Sequence, residues 1–299
     1  MSKKFVVENF KKRDLTVYIV LRGLVILTMI LQFLQGNFEN VFLCFFTLVL
    51  LVIPIIINKT LVIKLPSVLE NIIFIFIFSA QILGEVQNFY THFPYWDTIL
   101  HTLNGFLCAA LGFSLVDLLN TNEKFSLRLS PIFVSLIAFS VSMTIGIFWE
   151  FFEYSADKIF YTDMQKDTVI TELSTISLHP EKKNKAIILN KIDKTIIYAI
   201  DKDGKEVEYI VDNGYLDIGL NDTIEDLFVN FIGASIFSLL GYMYIKHRDD
   251  KYKFIEAFII TLKNEEEIEI AKKEIEEYEK KIKQRIKEKE ETKRLKNKK

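Results

Sequence analysis

The sequence predicts an all-α polytopic membrane protein: a bundle of about six transmembrane helices, a small external β-rich insert and a charged, cytoplasmic C-terminal helix. Three observations predict it. Apolar runs recur along the chain, each close to the ~20 residues a helix needs to cross the hydrocarbon core. The short connections between them alternate between basic and free of lysine and arginine. Residues 158–221 and 247–299 lack such runs, the first rich in β-branched residues and the second in Lys and Glu.

The N-terminal segment "MSKKFVVENFKKRD" is basic and weakly amphipathic, which holds it on the cytoplasmic side of the first run, Val17–Phe33. That run follows a charged stretch and lacks a small-residue cleavage pattern, so it reads as a retained span and not a signal peptide. The second run, Val41–Ile57, follows the turn "QGNFEN"; the third, Val68–Leu83, follows "NKTLVIKLP" with Lys59 and Lys64. The fourth covers Thr98–Leu119, the fifth Ile132–Phe152 and the sixth Leu227–Ile245. Basic residues mark the N-terminus, the 58–65 loop, the 120–130 loop with Lys124 and Arg128, and "KHRDDKYK" after the sixth run. These are alternate connections, so a single topology with both termini inside satisfies them all. It puts "QGNFEN", "GEVQNFYTHFPYWD" and the 158–221 insert outside.

The insert carries short β-branched runs, "KAIILNKI", "TIIYAI" and "EVEYIV", the last two joined by the hairpin signal "DKDGK". "FIEAFIITL" has Phe254, Phe258 and Leu262 on one helical face, predicting a membrane-surface or bundle-packing helix. Beyond it, Ile268, Ile275 and Ile282 stand at heptad spacing in a tail whose Glu-to-Lys pairs predict a solvated helix. The chain therefore divides into residues 1–157 with the first five spans, the insert 158–221, the sixth span 222–246 and the tail 247–299.

Hydrophobic residues make up 50% of the chain and charged ones 25%, but the two are segregated, so the average describes neither part. Lys+Arg 37 against Asp+Glu 39 excludes a nucleic-acid partner held by phosphate neutralisation. Cys44 and Cys108 both lie in apolar runs and imply neither a disulfide framework nor a thiolate metal site.

The polar residues inside the spans are the functional candidates, because each is costly there. Asp97, His101 and Asn104 open the fourth helix, Glu150 and Glu153 close the fifth, and Asp222, Asp226 and Asn230 open the sixth. The topology, deduced without them, brings all three groups to the outer face. Each continues inward as a stripe of small residues on one helical face, spaced by one or two turns: Cys108 and Gly112; Gly146, Ser142 and Ser135; Gly233 and Gly241. Such stripes predict close helix packing below a shared polar pocket. Gln81, Glu85 and Asn88 form a weaker stripe on the third helix. Asp97 and Asp222 also suit helix N-caps; His101, Glu150, Glu153 and Asp226, deeper or paired, carry the stronger functional reading.

One imidazole with several carboxylates suits a divalent cation, Zn²⁺, Mg²⁺ or Mn²⁺, ligated by His101, Glu150, Glu153 and Asp226. The same set, with Asp97, suits acid–base chemistry without metal. G-x-S-x-G, phosphate-loop, dinucleotide and H-E-x-x-H motifs are absent from the sequence. Three readings follow: an enzyme acting on a lipid or cell-envelope substrate, a cation- or proton-coupled transport or sensing protein, and a structural membrane protein.

At these motifs the chain resembles the YjdF-like bacterial inner-membrane proteins and, more distantly, the VanZ-like membrane proteins, over about Tyr95 to Gly233. The YjdF-like pattern is matched by Asp97, His101 and Gly105, by Glu150 and Glu153, and by Asp222, Thr223, Asp226, Gly233 and Ala234. "DMQKDT", with Gln165 and Asp167, looks like the first half of the last segment, separated here from its second half by the insert. The VanZ-like order is matched by Asp226, Asn230 and Gly233, and some VanZ-like proteins are associated with glycopeptide resistance. The resemblance implies a multi-pass protein of the bacterial cytoplasmic membrane with a shared polar site, and it names no substrate.

Overall fold

A computed structural model describes residues 2–121, 129–247 and 250–269 together with Lys280 and Gln284. Six helical segments are long and apolar enough to span a membrane: Thr16–Leu34, Phe38–Thr60, Ser67–Val86, Trp96–Asn120, Pro131–Phe160 and Leu220–His247. They belong to α1 (Ser2–Leu34), α2 (Phe38–Leu50) with α3 (Ile53–Thr60), α4 (Ser67–Phe78), α6 (Trp96–Thr121), α7 (Pro131–Phe160) and α8 (Leu220–His247), with the short α5 (Phe89–His92) between α4 and α6. The protein is an all-α bundle of multi-pass membrane helices with small strand segments.

The second apolar run divides into two helices because Pro54 has no N–H to give the preceding turn and its ring crowds the carbonyl four residues back. After α4 the chain winds more widely, as a π-helix over Ser79–Val86. That change of period turns Ile82, Gly84 and Val86 inward and leaves Glu85 and Asn88 at the surface, with Glu85 close enough to Asp97 to feel its charge.

Helices α6, α7 and α8 pack on one another through a core of Ala109, Ala110, Phe113, Val134, Ala138, Ala234 and Phe237, each fully buried. The small-residue stripes are the contact faces. A Cβ on Gly233 would lie 2.0 Å from the Thr102 carbonyl oxygen, and one on Gly105 2.2 Å from that of Asn230. Ser142 donates across the helix pair to the Gly105 carbonyl at 2.7 Å. A second cluster, with Val25, Cys44, Leu51 and Phe74, joins α1, α2 and α4.

The chain after α8 ties the two halves together. Residues Asp250–Ala257 form a 3-10 helix, and β8 (Thr261–Leu262) pairs antiparallel with β1 (Ile63–Lys64) between α3 and α4. The predicted helical face of Phe254, Phe258 and Leu262 is not formed. Phe254 and Leu262 are 52% and 51% exposed, whereas Ile255, Ile259 and Ile260 are buried, because a three-residue turn followed by extended chain breaks the 3.6-residue period. The Ile260 N–H donates to the buried Ser114 hydroxyl at 2.9 Å. A helix begins at Glu265; Ile268 is its first heptad residue, while Ile275 and Ile282 lie outside the described residues, as do Lys124 and Arg128.

Lys64 and Glu267 form an ion pair at 2.5 Å across this tie, which holds the Glu267 carboxyl below its ordinary value of 4.5. A depressed carboxylate stabilises the fold above its unfolded pKa and loses that contribution as pH falls through the folded one. The pair is solvent-screened, so Lys64→Ala is expected to cost less than about 1 kcal/mol at neutral pH and to lose that effect once acid has protonated Glu267 in the folded state; thermal melts across a descending pH series check this.

The insert is built as antiparallel pairs. The hairpin expected around "DKDGK" is present as β5 (Lys194–Ile200) with β6 (Glu206–Asp212), in register from Lys194 opposite Asp212 to Ile200 opposite Glu206. Before it, β3 (Leu173–Thr175) pairs with β4 (Ile187–Leu189). At its root β2 (Thr168–Ile170) pairs with β7 (Tyr215–Asp217), drawing the two ends of the insert together beside α7 and α8.

Candidate functional site

α6 begins, α7 ends and α8 begins at the same end of the bundle, so the polar residues at those positions meet. His101 stands at the centre. Its Nε2 is 3.5 Å from Asp97 Oδ1 on the preceding turn and 3.6 Å from Asp226 Oδ2 on α8. Its Nδ1 is 3.9 Å from Glu150 Oε1 on α7. Glu150, Glu153 and Asp226 are 5%, 6% and 4% exposed, and Asp97 is half-buried. Two sets of side chains could each hold a cation, Asp97 with His101 and Asp226, and Glu150 with Glu153 and Asp226; within each set the ligand atoms lie within 4.8 Å of one another.

Helical spacing explains the convergence. Asp97 and His101 are one turn apart on α6, and Glu150 and Glu153 are three residues apart on the inward face of α7. Close approach of the helices then brings them within reach. Asn230 lies one turn below Asp226, is 1% exposed, and is wedged against Gly146 of α7, where a Cβ would come within 2.7 Å of its amide nitrogen.

Several carboxylate oxygens in the cluster are buried and have no hydrogen-bond partner among the described residues: Glu150 Oε2, Glu153 Oε2 and Asp226 Oδ2. Burying an unpaired acceptor costs free energy, and an unpaired carboxylate far more. The other oxygen of Glu153 accepts from the Trp149 indole N–H at 2.9 Å, while that of Glu150 faces His101. The ion pairs of the cluster among the described residues involve His101, with no lysine or arginine.

A polar loop closes over this end. Asp157, on the last turns of α7, accepts from the backbone N–H groups of Met164 and Gln165. The Gln165 amide donates to the Thr223 hydroxyl at 2.5 Å, and the Lys166 N–H donates to Asp222 at 2.7 Å. The two halves of the motif that the insert separates in sequence are thus rejoined in space by the β2–β7 pair. Asp167, next to them, is exposed and faces away. Asp222 serves the loop as an acceptor and is not in either ligand set.

Tyr90 is a neighbour that sequence reasoning did not find. Its ring packs against Gly84, where a Cβ would meet it at 2.3 Å, and Lys166 lies over it at 5.9 Å. Burial, then the charges of Asp97, Glu85, Glu153 and Asp226, push its phenol far above the usual range, so it stays a hydrogen-bond donor. No local pattern around Tyr90 announces this, since its position depends on the π-helical turn before it.

Residues 16–247 match the profile of a family described as "Predicted membrane protein (DUF2238)". The chain belongs to this family. The matched region takes in every span and every residue of the polar cluster, and stops before the C-terminal tie. No curated protein and no solved structure matches the chain.

Proposed function

We propose that this protein is a membrane-embedded enzyme that uses a divalent cation, Zn²⁺, Mg²⁺ or Mn²⁺, held by His101, Glu150, Glu153 and Asp226, with Asp97 as a further ligand or proton carrier. Its substrate is a lipid or cell-envelope molecule reached from the outer face of the bacterial cytoplasmic membrane. The observation that carries the reading is the set of buried, unpartnered carboxylate oxygens turned into one pocket, an arrangement that a cation compensates and packing alone does not. The donor set fits: mixed nitrogen and oxygen ligands within 4.8 Å of one another. A bound divalent cation supplies Lewis acidity and a water ionised near neutral pH.

The chain's own residues supply orientation and exclusion of water. Trp149 fixes one oxygen of Glu153, and the Gln165–Thr223 contact covers the pocket from the loop. Beneath the site lies an apolar core with Phe113 and Phe237 fully buried, which supports a closed catalytic site over a transport path through the membrane. Beside it, an open apolar groove of about 320 Å³ lies between α6 and α8, lined by Thr98, Thr102, Phe106 and Ile236, and Thr98 directly follows Asp97. This supports a substrate with an acyl or polyprenyl-like chain. The YjdF-like and VanZ-like resemblance is compatible with a cell-envelope role.

Metal analysis of protein purified without chelator tests the reading. Stoichiometric Zn, Mn or Mg is expected, and protein devoid of each after reloading would leave His101 and Glu150 as a metal-free acid–base pair at most.

The outer placement is tested by labelling single cysteines at exposed insert positions such as Lys202, in a Cys44→Ala, Cys108→Ala background. Labelling by an impermeant maleimide in intact cells is expected. Labelling only after permeabilisation would invert the topology. Exposed Tyr95, Trp149 and Tyr154 at this end of the bundle suit a membrane–water interface there.

A further inference from the structure

We infer that the pocket is built for two cations, with Asp226 as the bridging ligand; this rests on the metal-site reading above and extends it. The ligand atoms form two sets, Asp97–His101–Asp226 and Glu150–Glu153–Asp226, that share Asp226 alone. The imidazole explains the division. Its Nε2 faces Asp97 and Asp226, and its Nδ1 points the other way, toward Glu150. One ring cannot direct both nitrogens at one ion. With Nε2 as the ligand, Nδ1 is left on the side of Glu150 Oε1, 3.9 Å away and longer than a hydrogen bond, where a carboxylate would orient a metal-bound histidine.

Glu150 then has Oε1 3.9 Å from His101 Nδ1 and Oε2 buried without a hydrogen-bond partner; Glu153 has Oε1 held by the Trp149 indole N–H and Oε2 buried without a partner. Both residues belong to the second set. Asp226 Oδ2, also unpartnered, faces the first. Each set therefore has open donor atoms of its own.

Charge balance points the same way. Asp97, Glu150, Glu153 and Asp226 carry four negative charges when ionised, and no lysine or arginine among the described residues pairs with them. One divalent cation would leave two negative charges uncompensated in a poor dielectric; two would leave none. Oxygen-rich two-metal sites hold their ions about 3.5–4 Å apart and clamp both the attacking and the leaving oxygen of a displacement. A chain presenting that clamp suits a phosphoryl or acyl ester at a lipid headgroup.

The test is the stoichiometry of Mn²⁺ bound to the full-length protein, stripped with chelator and reloaded, by elemental analysis and by electron paramagnetic resonance. Wild type is expected to bind two equivalents with an exchange-coupled spectrum. Asp97→Asn and Glu153→Gln, each removing a ligand from a different set, are each expected to drop to one equivalent and to lose the coupling. Asp226→Asn is expected to fall below one. A single equivalent in wild type, with an uncoupled spectrum, would overturn the two-cation inference and leave the metal-site reading standing. No bound Mn²⁺, Zn²⁺ or Mg²⁺ would overturn both. The wild-type measurement needs no variant to fold, so poor accumulation of any variant leaves the stoichiometry decisive.

Discussion

Glu150→Gln and Asp226→Asn are each expected to reach the membrane at the wild-type level while losing bound metal, and the function whose absence defines the deletion strain, by at least an order of magnitude. Both side chains are more than nine-tenths buried and meet at one histidine. The amide keeps the size and one carbonyl oxygen of the carboxylate, so a role in packing alone would survive the exchange. It supplies no negative charge and does not titrate near neutral pH, so ligation of a cation or transfer of a proton would not. Even residues that only orient a metal ligand change affinity about 10–100-fold when replaced, and a ligand should exceed that. Glu225→Gln, next to Asp226 but exposed, is the control and should behave as wild type. Abundance by immunoblot, metal content and complementation are the readouts. Full complementation with normal metal content in both variants would favour a structural role for the cluster.

Gly233→Leu is expected to prevent assembly of the α6–α8 pair and to remove the protein from the membrane fraction. A Cβ there would sit 2.0 Å from the Thr102 carbonyl oxygen and 2.9 Å from the Phe106 nitrogen, both backbone atoms that cannot rotate aside. The helices would have to separate along the face that carries His101 and Asp226. Overpacking of a closed core typically costs about 1–3 kcal/mol, and a leucine against backbone should lie at or above the upper end. Gly105→Leu should act alike, with its Cβ 2.2 Å from the Asn230 oxygen. Gly23→Leu, with nothing within 4 Å of its Cβ, should accumulate normally. Size-exclusion profiles after mild heating in detergent separate these outcomes, and a monodisperse Gly233→Leu protein with wild-type thermal resistance would show that the helices are held apart by other contacts.

Much of the fold was legible because bilayer thickness and backbone hydrogen bonding constrain a spanning helix so tightly. The runs around Val17, Val41, Val68, Thr98, Ile132 and Leu227 all lie in spans, with ends that differ by up to several residues. The largest differences are at α8, which starts at Leu220, and α7, which continues to Phe160. There the helix extends beyond the apolar stretch, so hydropathy cannot mark its end. The hairpin of "DKDGK" was legible from alternation and turn chemistry.

What the sequence determined by itself was a set of local properties: helices from apolar runs, packing faces from glycines and serines at helical spacing, and carboxylates aligned on the same face as His101. The tertiary structure alone decided what depends on chain segments distant in sequence. It joined Gln165 to Thr223 through the β2–β7 pair, brought Tyr90 near the site through a π-helical turn, and converted "FIEAFIITL" from an expected membrane-surface or bundle-packing helix into a tie across the bundle. It also grouped the candidate ligands into two sets around Asp226, because which imidazole nitrogen meets which carboxylate depends on the angles between three helices. Periodicity records the face a residue occupies on its own helix; only the crossing of helices determines which atoms on two such faces come within bonding distance.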